Sequence, residues 1–500
     1  MTIRLRRCGR LLVGLGLALA TATGCEVPLV PTELEALVGG SQAGRIAPLG
    51  AGSSVLAQLG PRRGAILAVG SSSAKPDQLA LRAEPDTLAW RASPFRPPGG
   101  SPDLTIRLRA WEAPLRARPP RLAGRRLLEA PGVQVGDVRP FWVVQTTDGT
   151  QAIEVKIEAR CVELGTHCHV WLDTRLAADE LRDRVHDMVV AFDGAIYPTT
   201  TRLFGQPVAE GVDGEPRVAL LVSPAVGNYG DDTTLGYFAL RDLFPPDASP
   251  GALPELARSN HRLMLYLSPL VVGHGRPTDY LGTVAHELQH LIGASRRVFA
   301  AGGPRQPEAV WLDEVLSMVA MAANGYGMNT DSTVLFNHVR GFLASPHDYS
   351  LTEWDLNPDT SAYGAAYLFG TYIVERFGEG LLKELVEGPE VGRENVEARL
   401  GARGETFEGL FRDWMLATLL DETGISKDPR HQYTTLALIG GRGGRRLRGV
   451  RLEPMPAPGR ASLQLKPTSM RFLALTRVAG GSFRLGFEAL ETREAFLVLP

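Results

Sequence analysis

Two hydrophobic periods divide the chain. From about residue 65 to 173 the two-residue period of strands prevails: within 152–159, Ile153, Val155 and Ile157 alternate with Glu154, Lys156 and Glu158, and 105–110 alternates likewise. Successive side chains of a strand point to opposite faces, so such a segment offers one face to a core and one to water. Near residue 175 the period changes. Leu181, Val185, Met188, Val189 and Phe192 recur every three or four positions, which predicts an amphipathic helix. Apolar runs at 218–222 and 263–267 predict strands, and helical spacing then dominates from about 278 to 422. Strands return at 462–465, 471–476, 482–487 and 495–499. The pattern predicts an α+β chain: a small antiparallel β domain over 63–173, a mixed domain over 174–428, and a second small antiparallel β domain over 429–500.

Composition narrows the function classes. With 500 residues, 44% hydrophobic and 22% charged, the chain has ample material for folded domains. A net charge of −2 excludes a globally basic nucleic-acid binder, so no nucleic-acid partner is expected. A monomer is expected. Only five of the basic residues are lysines, a skew that reads as coding bias rather than function.

Residues 1–24 read as a targeting segment. Arg4, Arg6, Arg7 and Arg10 precede an apolar run from Leu11 to Ala20, too short for the roughly 20 residues that span a bilayer. The ending Ala22-Thr23-Gly24-Cys25 resembles a bacterial lipobox, with Ala22 where leucine is usual. The resemblance implies that Cys25 carries a diacylglyceryl group and anchors an exported protein in the cell envelope. Glu26, in place of Asp, favours the outer membrane if the cell has two. Residues 25–62, rich in Ala, Gly, Ser and Pro, suit a tether. Cys8 leaves with the signal, so Cys161 and Cys168 remain, and an even remainder in an oxidising compartment predicts a disulfide between them. The rival reading is a metal cluster with His167 and His169.

The segment His286-Glu287-Leu288-Gln289-His290 carries the clearest chemistry. Leu281, Val284, Ala285, Leu288, Leu291 and Ile292 form one apolar stripe around it, so it should be helical, with Thr278 and Asp279 at the start and Gly293 as the stop. On a helix, His286 and His290 stand one turn apart on one face and can bind one tetrahedral zinc ion. Glu287, displaced by one residue, is placed to act as general base on a water and then as general acid to a leaving amine.

A third ligand is needed downstream. Residues 308–323 predict a second helix, with Pro307 near its first turn, apolar on most sides and therefore buried. Asp313 and Glu314 interrupt it, and a buried carboxylate is expensive unless paired or bound to metal. Glu314, 24 residues after His290, is the first candidate and Asp313 the second. Glu308, nearer the exposed start, suits helix-dipole compensation instead.

His286-Glu-Leu-Gln-His-Leu-Ile292 followed by Trp311-Leu-Asp-Glu-Val-Leu-Ser-Met318 resembles the hyicolysin-like family of zinc metallopeptidases, which are gluzincins. Leu235-Gly-Tyr-Phe238, Tyr363-Gly-Ala-Ala-Tyr-Leu-Phe369 and Phe411-Arg-Asp-Trp-Met415 are similar as well, and the resemblance spans about 175 to 425. It implies a thermolysin-like zincin catalytic domain, a mixed sheet above the zinc helix, an edge strand that holds peptide substrate, and Zn2+ as cofactor. Two departures stand out. Asp313 and Val315 replace the family's Asn and Gly around the glutamate. Met318 occupies the position four residues after it where many gluzincins hold a histidine-orienting acid, so the orienter must come from elsewhere, for instance a backbone carbonyl. Tyr363, with Gly364 leaving space beside it, is the first candidate to donate to the developing oxyanion; Tyr367, Tyr326, Tyr237, His338 and His347 are the alternatives. The expectation is a lipid-anchored zinc endopeptidase. The rival is a surface lipoprotein that keeps the zincin fold as a silent binding or scaffolding module. An aminopeptidase would need an acidic anchor for a free amine, and no Gly-x-Met-Glu-Asn-like segment is present.

Overall fold

The fold is that of a computed structural model. It describes residues 132–147, 151–207, 213–229, 232–244, 258–300, 305–440, 446–456 and 459–476, the terminal strand segments 45–48, 54–58, 65–73, 77–84, 89–91, 482–489 and 494–499, and residues 108, 112, 114 and 115. The signal segment, Cys25 and most of the tether lie outside the described residues.

The chain is α+β, as the two periods predict, but its parts are joined differently. Five early strands, β1 (Arg45–Pro48), β2 (Ser54–Gln58), β3 (Ala65–Gly70), β4 (Asp77–Glu84) and β5 (Ala89–Arg91), precede the body of the chain. The body opens on β6 (Val138–Thr147), β7 (Gln151–Leu164) and β8 (Cys168–Asp173). It continues through helix α1 (Ala178–Ala191), helix α2 (Tyr197–Phe204) and strand β9 (Val218–Val222). Three two-residue strands follow, β10 (Asn228–Tyr229), β11 (Asp232–Thr233) and β12 (Gly236–Tyr237), then β13 (Met264–Leu267). The helical part holds α3 (Pro269–His274), α4 (Pro277–Val298), α5 (Val310–Met321), α6 (Thr333–Ala344) and α7 (Ala362–Phe377). It ends with α8 (Gly380–Glu387), α9 (Gly392–Gly401) and α10 (Phe407–Leu420). The last strands are β14 (Glu453–Pro456), β15 (Gly459–Leu465), β16 (Met470–Thr476), β17 (Ser482–Ala489) and β18 (Glu494–Leu499).

The expected division into 63–173, 174–428 and 429–500 does not hold. Strands β6 to β8 belong to the six-stranded central sheet, in the order β12-β13-β9-β8-β7-β6. The early and late strands form one unit of two five-stranded sheets, β1-β18-β3-β16-β14 and β2-β17-β4-β15-β5. Neither set of terminal strands completes a sheet alone, and edge strands are satisfied by pairing wherever the chain supplies a partner. Of the alternating segment 105–110 only Leu108 is among the described residues; it stands in a helical turn, its carbonyl accepting from Glu112 N at 2.9 Å.

The central sheet is curled. Its end strands approach each other closely enough that Val144 N in β6 donates to the Tyr237 hydroxyl of β12 at 2.8 Å. Asn260 reaches β6 as well, accepting from Trp142 N and donating to Trp142 O, both at 2.8 Å. One face encloses Phe141, Trp171, Tyr237 and Tyr266; the other joins the main core against α1 and α4.

Cys161 and Cys168 are both buried and both free. The predicted disulfide is therefore corrected. Cys161 pairs across the hairpin with Trp171, an odd number of residues from Cys168, and a bulge lies between Cys161 and Glu163. The two thiols consequently pack into cores on opposite faces of the sheet. The rival metal cluster is absent too: His167 stacks on Tyr197 and His169 Nδ1 accepts from Trp171 Nε1.

Helix α4 runs past Gly293 to Val298, so the predicted stop is an interior position. Arg296 and Arg297 fill the last turn, where cations suit the helix dipole. Glu308 is not at an exposed start. It is 6% exposed and ties three elements together, accepting from Arg297 Nη2 at 2.5 Å, Gly392 N at 2.5 Å and Asn395 Nδ2 at 2.7 Å. Removing one partner of a buried, hydrogen-bonded ion pair strands the other charge. Glu308→Ala is therefore expected to lower stability by about 3–5 kcal/mol in denaturant unfolding, against about 1 kcal/mol or less for an exposed pair.

Candidate metal centre

Helices α4 and α5 pack directly against each other in the main core. Their facing sides carry His286, Glu287 and His290 from α4 and Asp313 and Glu314 from α5. The four residues His286, Glu287, His290 and Glu314 are 9, 6, 4 and 0% exposed, so the group lies beneath the surface where bulk water screens little.

Three of these residues converge. His286 Nε2 and His290 Nε2 are 3.1 Å apart. Glu314 Oε2 lies 3.2 Å from the first and 3.5 Å from the second. Among the described residues they are the only group of three such side chains that could hold a metal ion. A tetrahedral zinc ion with ligands at about 2.0–2.1 Å needs ligand atoms roughly 3.3 Å from one another. The triangle has that size. Two imidazole nitrogens argue against calcium or magnesium, which take oxygen ligands.

The electrostatics ask for a cation. Neither carboxylate oxygen of Glu314 receives a well-formed hydrogen bond, although the side chain is fully buried. Burial opposes the Glu314 anion, yet His290 and His286 hold its carboxyl well below the usual range. Burial opposes a charged His290 too, but the Asp313 and Glu314 carboxylates outweigh it and push the imidazole up to about 10. A divalent cation would answer the same negative field, and the residues present fit zinc.

Asp313 takes the place that Met318 leaves open beside the histidines. Met318 sits in the main core, 2% exposed, and contributes only packing. Asp313 Oδ2 instead lies 3.1 Å from His290 Nδ1, the nitrogen that faces away from the triangle. Carboxylate support of a ligand histidine fixes its ring and raises its basicity. Asp313→Ala is expected to weaken zinc affinity about 10–100-fold in a competition titration, and Asp313→Asn, which keeps an oxygen acceptor, to lose less. The sequence showed Asp313 as a charge in an apolar run. Only the packing of α5 on α4 shows which histidine it meets.

Tyr363 is brought to the same place. Its ring centroid is 6.1 Å from that of His286, 5.5 Å from His338 and 5.3 Å from Trp354. Two glycines press α7 into position. A Cβ at Gly364 would stand 2.3 Å from His338 O, and one at Gly370 would stand 2.6 Å from Val319 Cγ2. Gly364 thus serves the α6–α7 approach and leaves no room beside Tyr363. The alternatives are placed elsewhere, except His338. Tyr367 accepts from Met328 N at 3.1 Å, Tyr237 is held by β6, Tyr326 packs on Gly282, and His347 turns toward Glu453. His338 lies beside Tyr363; burial pushes its imidazole down to about 4, with Asp359 opposing and His286 adding to the fall.

Edge strand β12 borders this region. It pairs antiparallel with β13, and a Cβ at Gly236 would stand 2.8 Å from Thr283 Cγ2 on the turn of α4 before His286. Among the described residues no helix is long and apolar enough to cross a membrane. Comparison with protein families and with curated proteins returns no match for the chain.

Proposed function

We propose that the chain is a zinc-dependent endopeptidase with a thermolysin-like arrangement of the catalytic helices, akin to the hyicolysin-like metallopeptidases. The observation that carries this reading is the triangle of His286, His290 and Glu314, whose edges of 3.1 to 3.5 Å suit one tetrahedral zinc ion, with Glu287 beside the first ligand. Export and lipid anchoring through Cys25 belong to the same proposal, as does a peptide or protein substrate.

The roles follow from the placement. His286, His290 and Glu314 would hold zinc, and Asp313 would keep the His290 ring aimed. Bound there, zinc acts as a Lewis acid that acidifies water and polarises the scissile carbonyl. Glu287 takes the proton from the attacking water, and the same carboxyl returns it to the departing amine nitrogen. The Tyr363 hydroxyl donates toward the oxygen on which negative charge develops. An extended peptide laid along β12 would pass beside the turn of α4 that precedes His286.

A broad peptide library offered to the zinc-loaded protein lacking residues 1–25 tests the reading. Internal cuts that vanish on chelation and return with zinc support it. A protein that holds zinc and cuts nothing would support the silent binding module instead, to which Val315 and Met318 point.

A further inference from the structure

We propose that the turn between β15 and β16, residues 466–469, is a positioning device for the Trp354–Tyr363 wall of the metal centre. Its kinetic consequence rests on the peptidase reading; its structural consequence does not.

The connection between α6 and α7 is unusual for a loop. Residues 346–351 are all buried, whereas connecting segments normally run over the surface. A buried loop must find partners for its backbone groups. Here they come from the far end of the chain. Lys466 Nζ donates to Asp348 O at 2.7 Å and to Leu356 O at 2.6 Å, closing both ends of the loop with one ammonium. Thr468 O accepts from Leu351 N at 3.1 Å, and Thr468 Oγ1 accepts from Thr352 N at 2.9 Å. Thr468 adopts φ 44°, a left-handed conformation that a β-branched residue rarely takes. Arg471 and His347 meet on Glu453 at 2.8 and 3.2 Å and fix the start of the same loop.

The loop transmits that hold to the site. Tyr349 donates to Asp359 Oδ1 at 2.9 Å, and the same oxygen accepts from Ser361 N at 2.8 Å where α7 begins. Trp354, in the middle of the loop, packs edge-on against Tyr363, which faces His286. Lys466 is one of only five lysines in a chain that otherwise uses arginine. Its compact ammonium, with three rotatable donors, serves both carbonyls at once. The terminal β unit is on this view part of the site's scaffold. Lys466 and Thr468 act through the loop they hold, which makes them positioning residues.

Hydrogen exchange and kinetics on the zinc-loaded full chain test this, with Lys466→Met and, should that variant fold poorly, Thr468→Val. Amides of 350–357 and of the first turn of α7 should exchange at least roughly tenfold faster, with zinc content unchanged. For peptide cleavage kcat should fall roughly tenfold or more while KM stays within about twofold, since a misplacement of an ångström can cost a hundredfold. Unchanged exchange in both variants, or faster exchange with unchanged kcat, overturns the proposal. Should the wild type cleave no peptide at all, the peptidase reading fails, and the exchange result alone decides for or against the clamp.

Discussion

Glu287→Gln is expected to keep a full equivalent of zinc and to lose about 10²–10⁴-fold in kcat. The change is nearly isosteric, so the packing of a residue only 6% exposed on α4 should survive. What is lost is the ability to accept and return a proton. The ligand triangle does not include residue 287, which is why metal content and turnover should separate in this variant. A parallel loss of zinc and activity would mean that Glu287 supports the metal and not the proton transfer. Retained turnover would remove Glu287 from the mechanism altogether.

Glu314→Leu is expected to abolish stoichiometric zinc binding and, with it, the effect of chelation on stability. In the wild type, a ligand present at a thousandfold over its Kd adds about 4 kcal/mol to the folded state, so a chelator should lower Tm by several degrees. The variant should be insensitive to chelator. Compared metal-free, it should be less stable than the wild type, because the histidines that hold the Glu314 carboxyl in its charged form lose their buried partner. Differential scanning calorimetry of the four samples, each protein with and without chelator, reads both effects. A chelator-sensitive variant would show that Glu314 is not the third ligand, and Asp313 would be examined next.

The elements that carry the site are legible in the sequence because their signals are local. The stripe from Leu281 to Ile292 fixes a helix, and a helix puts His286 and His290 on one face. The apolar run around Asp313 and Glu314 announces a buried helix with charges that need an answer. Distance in sequence is what hid the rest. Strands β1 to β5 and β14 to β18 pair across nearly the whole chain, and no local period distinguishes one interleaved unit from two separate domains. The cysteine arithmetic failed for a related reason. Spacing suggested a bridged hairpin, but the pairing of Cys161 with Trp171 and the bulge beside it set the two thiols on opposite faces. Gly293 suggests a stop in the sequence, yet the last turns of α4 are held by Arg297 and its buried partner Glu308, a contact made by tertiary packing. Asp313 was visible as a charge, but which histidine it supports depends on how α5 crosses α4.

His286, His290 and Glu314 are proposed to hold one zinc ion. X-ray absorption at the zinc edge, on protein purified without added metal and then loaded with one equivalent, tests it most directly. The expected spectrum has four nitrogen or oxygen neighbours near 2.0–2.1 Å, with the outer-shell scattering of two imidazoles, reduced to that of one in His290→Ala. A sulfur neighbour at about 2.3 Å, or a spectrum of zinc that the His290→Ala change leaves untouched, would contradict it.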